Sequence, residues 1–182
     1  MAILKIARMG HPVLAGVAQP VADPTAPEIR RLVGDMLETM VDANGAGLAA
    51  PQVHVPLRVV VFQAPGDRDE GLSEAERFEA TAPLTVLINP EIEVIGESRE
   101  SGWEGCLSVP GMRGLVERPA HIRYTGVDHE GHRIERVAKG FHARVVQHEV
   151  DHLEGVLYPQ RMSDLKKLIF ESEVRHWLAA EA

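Results

Sequence analysis

The sequence predicts an α+β fold: mixed, mainly antiparallel sheets packed around a central helix, with one helix near the N-terminus and one at the C-terminus. Three observations carry that expectation. Apolar residues recur at helical spacing in three segments, β-branched runs separate the first two, and the middle segment holds two histidines four residues apart. At 182 residues with 45% hydrophobic content, the chain suits one domain spanning 1–182 that buries its own core.

The first helix is expected over residues 25–43. Thr25 and Glu28 have capping-box spacing, and Pro27 falls where a first helical turn tolerates it. Ile29, Leu32, Val33, Met36, Leu37, Met40 and Val41 form its apolar stripe, and Asn44-Gly45 stops it. Residues 57–63 are rich in β-branched side chains and read as a strand. Residues 66–79 are charged and nearly free of large apolar residues, so an exposed loop with room for one helical turn is expected there. Strands are expected over 86–95 and 96–104, with Asn89-Pro90 limiting where the first can sit in a sheet. Strands over 122–128 and 133–137 flank His129-Glu130-Gly131-His132, a hairpin signal. The central helix starts near Lys139 or Gly140 and ends at Gly155; the last runs from an N-cap at Ser163 to about Ala179.

Composition excludes several classes. A formal net charge of -8 argues against direct sequence-specific nucleic-acid binding, which needs cations on phosphates. The single cysteine, Cys106, rules out an intramolecular disulfide and fits a reducing compartment. The opening apolar run is too short for a secretory signal, and no stretch approaches the roughly 20 residues that cross a bilayer. A cytoplasmic protein with no membrane association is expected.

Chemistry concentrates in three stretches. In residues 147–155, His148 and His152 project from one helical face and can share a metal ion, while Glu149 is placed to take a proton from a water. Two unrelated histidines on a solvated face would be the plainer explanation. However, Phe141, Val145, His148 and His152 form one largely apolar stripe, where imidazoles need partners. A hydrolytic metal site takes three protein ligands, and Cys106 in residues 104–108 is the only thiol available; taken alone it would read as a small buried hydrophobe. Residues 45–52 are small and end in Gln52, whose amide can donate to a developing oxyanion, although such a connection is by itself more often just a turn.

These stretches read Gly-Ala-Gly-Leu-Ala-Ala-Pro-Gln (45–52), Glu-Gly-Cys-Leu-Ser (104–108) and Gln-His-Glu-Val-Asp-His-Leu-Glu-Gly (147–155). Together they resemble the three signature motifs of the peptide deformylases, in that family's order, and the likeness extends over most of the chain, including Gly10-His11-Pro12-Val13-Leu14. The resemblance implies removal of the formyl group from the N-terminal formylmethionine of nascent polypeptides. It implies Cys106, His148 and His152 as metal ligands, Glu149 as general base and acid, and Gln52 with the Leu107 backbone N–H as oxyanion donors. It places Ala46, Gly47 and Gly105 against the substrate peptide. The donor set alone suggests Zn²⁺; the resemblance implies one Fe²⁺ per chain, for which Zn²⁺, Ni²⁺ or Co²⁺ can substitute.

Ala46, Trp103 and Arg144 depart from the commonest pattern around the methionine pocket, and a Glu104–Arg118 ion pair is expected. Transient ribosome contact through the C-terminal helix is a further implication, although Glu171 and Glu173 offset Lys166, Lys167 and Arg175 there. The rivals are a zinc endopeptidase, which shares the helix motif, and a metal-stabilised binding protein without turnover.

Overall fold

The computed structural model of the chain describes residues 2–65 and 73–181. Within them, strands β1 (Gly47–Ala49), β2 (Val59–Ala64), β3 (Ala82–Val94), β6 (His121–Val127) and β7 (Arg133–Lys139) form an antiparallel sheet in the order β1-β2-β3-β6-β7. A second antiparallel sheet, ordered β4-β5-β8, comprises β4 (Arg99–Cys106), β5 (Val109–Pro119) and β8 (Leu168–Phe170). Helix α3 (Gly140–Leu153) packs against strands of both sheets, as the α+β expectation required.

Helix α1 (Pro27–Asp42) buries Ile29, Val33, Met36 and Met40 against β1 and β2. Its expected capping box does not form. The Thr25 hydroxyl and N–H both donate to Asp23 Oδ1, at 2.7 and 2.9 Å, and the N-cap is Ala26 without a side-chain bond. At the other end Asn44 adopts the left-handed conformation (φ 52) and Gly45 N donates to the Met40 carbonyl, so the chain turns directly into β1.

The β2 backbone is fully sheeted between β1 and β3, and Val59, Val60, Val61 and Phe62 are all buried, which explains their near-continuous apolar run. In β3 the expected interruption at Asn89-Pro90 is a register shift. Asn89 (φ 50) turns its amide to bond both the N–H and the carbonyl of Val21. Of the expected loop at 66–79, positions 66–72 lie outside the described residues. The rest is mostly α2 (Glu74–Ala80), longer than the single turn allowed for and capped reciprocally by Ser73 and Glu76. The strand expected from Gly96 starts at Arg99, because Gly96 (φ 70) makes the turn out of β3. No strand is anticipated between Ser108 and Ala120. Yet β5 runs there, its Gly111 and Gly114 diluting the sequence signal while it pairs along the whole of β4.

The C-terminal expectation needs correction. The helix expected over 163–179 exists only as α4 (Val174–Glu181). Before it the chain makes a 3₁₀ turn (Leu165–Lys167), capped by Asp164 rather than Ser163, then β8, then a second turn (Glu171–Glu173). The open edge of β5 takes the apolar run Leu168-Ile169-Phe170 as a third strand, and an Arg113–Glu171 ion pair (2.7 Å) closes it. No helix among the described residues is long and apolar enough to cross a membrane.

Candidate active site

The cleft lies between the two sheets at one face of α3. It has a volume of about 610 Å³, and its lining includes Ala46, Gly47, Gln52, Gly105, Cys106, Leu107, His148 and Glu149. Each of the expected site residues except His152, which lies behind His148, therefore faces one cavity.

Cys106 ends β4 just after a register shift between Gly105 and Cys106, which moves its pairing to Val109 of β5, and its thiol faces His152 on α3. On α3, the His148 and His152 rings meet edge to face, 5.1 Å between centroids, and His152 Nε2 lies 3.3 Å from Cys106 Sγ. One donor atom from each of Cys106, His148 and His152 falls within 4.8 Å of the others, a spacing that a single ion can bridge. The chemistry of the set fits such an ion. His148 Nδ1 lies 2.9 Å from Glu104 Oε2, which leaves Nε2 available to an ion, and burial lowers the pKa of His152 and so favours its neutral form. A second acidic cluster, Asp128, Glu130 and His132, lies exposed in the β6–β7 turn and is built on local hydrogen bonds.

Glu149 is 4% exposed, and its Oε2 has no hydrogen-bond partner among the described residues. Burial pushes its pKa up to about 7, so the carboxyl can both take and return a proton near neutrality. Gly47 allows this carboxyl to lie against β1, since a Cβ there would sit 2.3 Å from Glu149 Oε1. Gln52 is 1% exposed and held at both ends: its Oε1 accepts from Ala49 N at 2.8 Å, and its Nε2 donates to Ser108 Oγ at 3.1 Å and approaches Cys106 Sγ at 3.5 Å. The amide nitrogen is thus aimed at the donor cluster, and Leu107 follows Cys106 on the same wall.

Ala46 and Gly47 belong to one rim and Gly105 to the other. The Ala46 carbonyl already accepts the Gln63 N–H (2.8 Å), which ties this rim to β2. Both β1 and β4 are edge strands, paired on one side only, and residues of both line the cleft. An extended peptide could therefore add itself as a strand.

Behind the donors lies a buried ionic network. The expected Glu104–Arg118 pair is bidentate, Nε to Oε1 at 2.6 Å and the second nitrogen to Oε2 at 2.9 Å, with both side chains at most 6% exposed. Burial alone would raise the Glu104 pKa, but Arg118 and His148 outweigh it and hold it at about 2. Arg118 also bonds Asp151 (2.8 Å), which in turn holds Arg161 (2.6 Å). Sequence reasoning missed Ser108 and Asp151, although both stand inside the motifs. It also missed Tyr158, whose ring stacks on His148 at 6.2 Å and which no motif marks.

A thiol, two imidazoles and a buried carboxyl gathered in a peptide-sized cleft are the make-up of a metal-dependent hydrolase. The family model for polypeptide deformylase matches residues 3–168. Peptide deformylase 2 of Ralstonia nicotianae is 52% identical, covering 92% of each chain, and peptide deformylase 1 of Bordetella pertussis is 55% identical, covering 89% of each. Among solved structures, a peptide deformylase from Ehrlichia chaffeensis superposes with a TM-score of 0.83 at 34% identity, covering 91% of this chain and 90% of that one. A Met-Ala-Ser-bound class I type b peptide deformylase from Acinetobacter baumannii gives 0.76 at 36% identity, covering 88% and 98%. The chain belongs to the peptide deformylase family, metal-dependent enzymes that remove the N-terminal formyl group from nascent polypeptides.

Proposed function

We propose that the chain deformylates N-formylmethionyl nascent peptides in the cytoplasm, as one catalytic domain, with a metal ion held by Cys106, His148 and His152. The observation that carries this reading is the convergence of those three donors beside a buried carboxylate oxygen of Glu149 that has no hydrogen-bond partner among the described residues. Fe²⁺ is the native ion on family grounds, with Zn²⁺, Ni²⁺ and Co²⁺ as substitutes. When bound, the ion supplies Lewis acidity that makes a water nucleophilic near neutral pH.

The chain's own residues do the rest. The unpaired edges of β1 and β4, at Gly47 and Gly105, with Ala46 just before β1, align the peptide backbone with its formyl end toward Glu149. Glu149 takes the proton from the attacking water at its carboxylate, helped by a pKa near 7. The oxyanion that develops on the formyl oxygen receives the Gln52 Nε2 amide, preset by Ala49 N on its other end, and the Leu107 backbone N–H. Glu149 then returns its proton to the departing amine, which leaves formate and a free methionine terminus. Exposed Lys166 and Arg175 near the C-terminus are the groups that could make a transient ribosome contact.

The test is formate release from a formyl-Met peptide by protein purified anaerobically, with elemental analysis of the same sample. One equivalent of iron and formate release without casein digestion support the reading; casein digestion without formate would replace it with an endopeptidase.

A further inference from the structure

One member of the Glu104 cluster has no part in the chemistry above. Arg144 precedes His148 by one helical turn on α3, and its side chain is only 11% exposed. One terminal nitrogen donates to Glu104 Oε1 at 2.7 Å and to the Val116 carbonyl at 2.9 Å; the other donates to the Glu100 carbonyl at 2.7 Å. Those acceptors lie on β4 and β5, so a single side chain ties α3 to two strands of the sheet that carries Cys106. The seat for it is Gly102, where a Cβ would lie 2.8 Å from Arg144 Cζ and Nε. No side chain other than hydrogen leaves that space open.

Glu104 Oε1 is shared between Arg118 Nε (2.6 Å) and Arg144 (2.7 Å), while Oε2 takes the other Arg118 nitrogen and His148 Nδ1. With Arg118 alone, the carboxylate's only arginine anchor would come from β5, the strand paired with its own, and its only bond to α3 would be to the His148 ring itself. The second guanidinium comes from the helix that bears the histidines, so it fixes Glu104 relative to the ring that Glu104 orients. We propose that Arg144, seated on Gly102, is a positioning residue for the metal centre, holding Glu104 so that the His148 ring and Cys106 keep their mutual placement. The inference rests on the reading of Cys106, His148 and His152 as ligands.

The experiment is Co²⁺ titration of the metal-free full-length chain, with affinity from chelator competition and ligation from the thiolate-to-cobalt absorption band. Arg144→Met should weaken affinity about tenfold, the lower end of what partners behind the ligands contribute. Gly102→Ala should weaken it similarly by displacing the guanidinium. The double variant should be no worse than Arg144→Met, because the guanidinium that the added methyl would displace is already gone and the flexible thioether can turn aside. Unchanged affinity and band in Arg144→Met, with only a lower melting temperature, would make Arg144 a mere brace and overturn the proposal, as would simple additivity in the double variant. If Arg144→Met does not fold, Gly102→Ala alone decides: unchanged affinity overturns it, a tenfold loss supports it. A wild-type chain with no thiolate-to-cobalt band would instead overturn the metal-centre reading itself.

Discussion

Gly47→Ala is the substitution whose effect the geometry specifies most closely. The new methyl would lie 2.3 Å from Glu149 Oε1, 2.6 Å from its Cδ and 2.8 Å from its Cγ, and ordinary contact begins at 3.4 Å. Relief therefore requires a shift of about 1 Å (3.4 less 2.3). The backbones can supply little of it, since β1 is paired with β2 at Gly47↔Phe62 and α3 packs against both. The carboxylate must move instead, away from the donor cluster it serves. A misplacement of that size at a reacting group costs on the order of 10²-fold in rate, so kcat for a formyl-Met peptide should fall by about that factor. Metal content should remain at the wild-type level because Glu149 is not among the proposed ligands, and the melting temperature should move little because the displaced group is a side-chain end. Gly34→Ala is the control: nothing lies within 4 Å of the added methyl, so activity should be unchanged. Helix propensity should raise its stability by about 1 kcal/mol. A Gly47→Ala enzyme with kcat within about threefold of wild type, against the expected loss, would mean that the position of Glu149 does not limit the reaction.

Glu149→Gln should keep its metal and its melting temperature while kcat falls about 10²–10⁴-fold, measured by formate release; retention of a tenth of wild-type kcat would remove Glu149 as the proton carrier. Cys106→Ser should lose most of its metal on dialysis, since an alkoxide does not form near neutral pH; a full equivalent by elemental analysis would take Cys106 out of the site. For pH dependence, His142 is fully buried among Tyr124, Phe62, Arg136 and the Glu79 carbonyl, and burial lowers its pKa to about 4. Its folded pKa lies below the unfolded value of about 6.5, so its contribution is intact above 6.5 and lost as pH falls through 4, about 3 kcal/mol in all. His142→Gln should flatten the wild-type fall in melting temperature between pH 7 and 4.5, and an unchanged slope would refute this.

What the sequence made legible was the periodic and the punctuated. The α1 stripe emerges because that helix buries one face, α3 because it is buried on nearly every side with only Phe141 exposed, and β2 because Val59 to Phe62 are buried on both sides. Elements held mainly by pairing were not legible. β5 carries Pro110, Gly111 and Gly114, a poor strand by propensity that its β4 partner nevertheless recruits. β8 sits in a segment whose apolar spacing also suits a helix, and only the open edge at Met112–Gly114 decides between the two. Local competition explains the failed cap as well: Asp23 reaches Thr25 before the helix can use it.

The site follows the same division. The residues proposed to touch the reaction sit in compact motifs, because two histidines one turn apart and a glutamate between them can be read from spacing alone. The residues that hold them come from far along the chain and carry no local pattern. Glu104 meets Arg118, Arg144 and His148 at separations of 14, 40 and 44 positions. Each pair is costly to bury alone, and removing one partner from such a pair typically costs about 3–5 kcal/mol. A buried carboxylate bonded by three cationic or hydrogen-bonding groups is therefore affordable only as a complete set. That completeness makes Arg144 more than a departure from a pattern, because its guanidinium fills the space left by Gly102 and adds a bond from α3 to the Glu104 oxygen that Arg118 Nε holds from β5. A position that looks anomalous beside one motif can thus be the consequence of a missing side chain beside another.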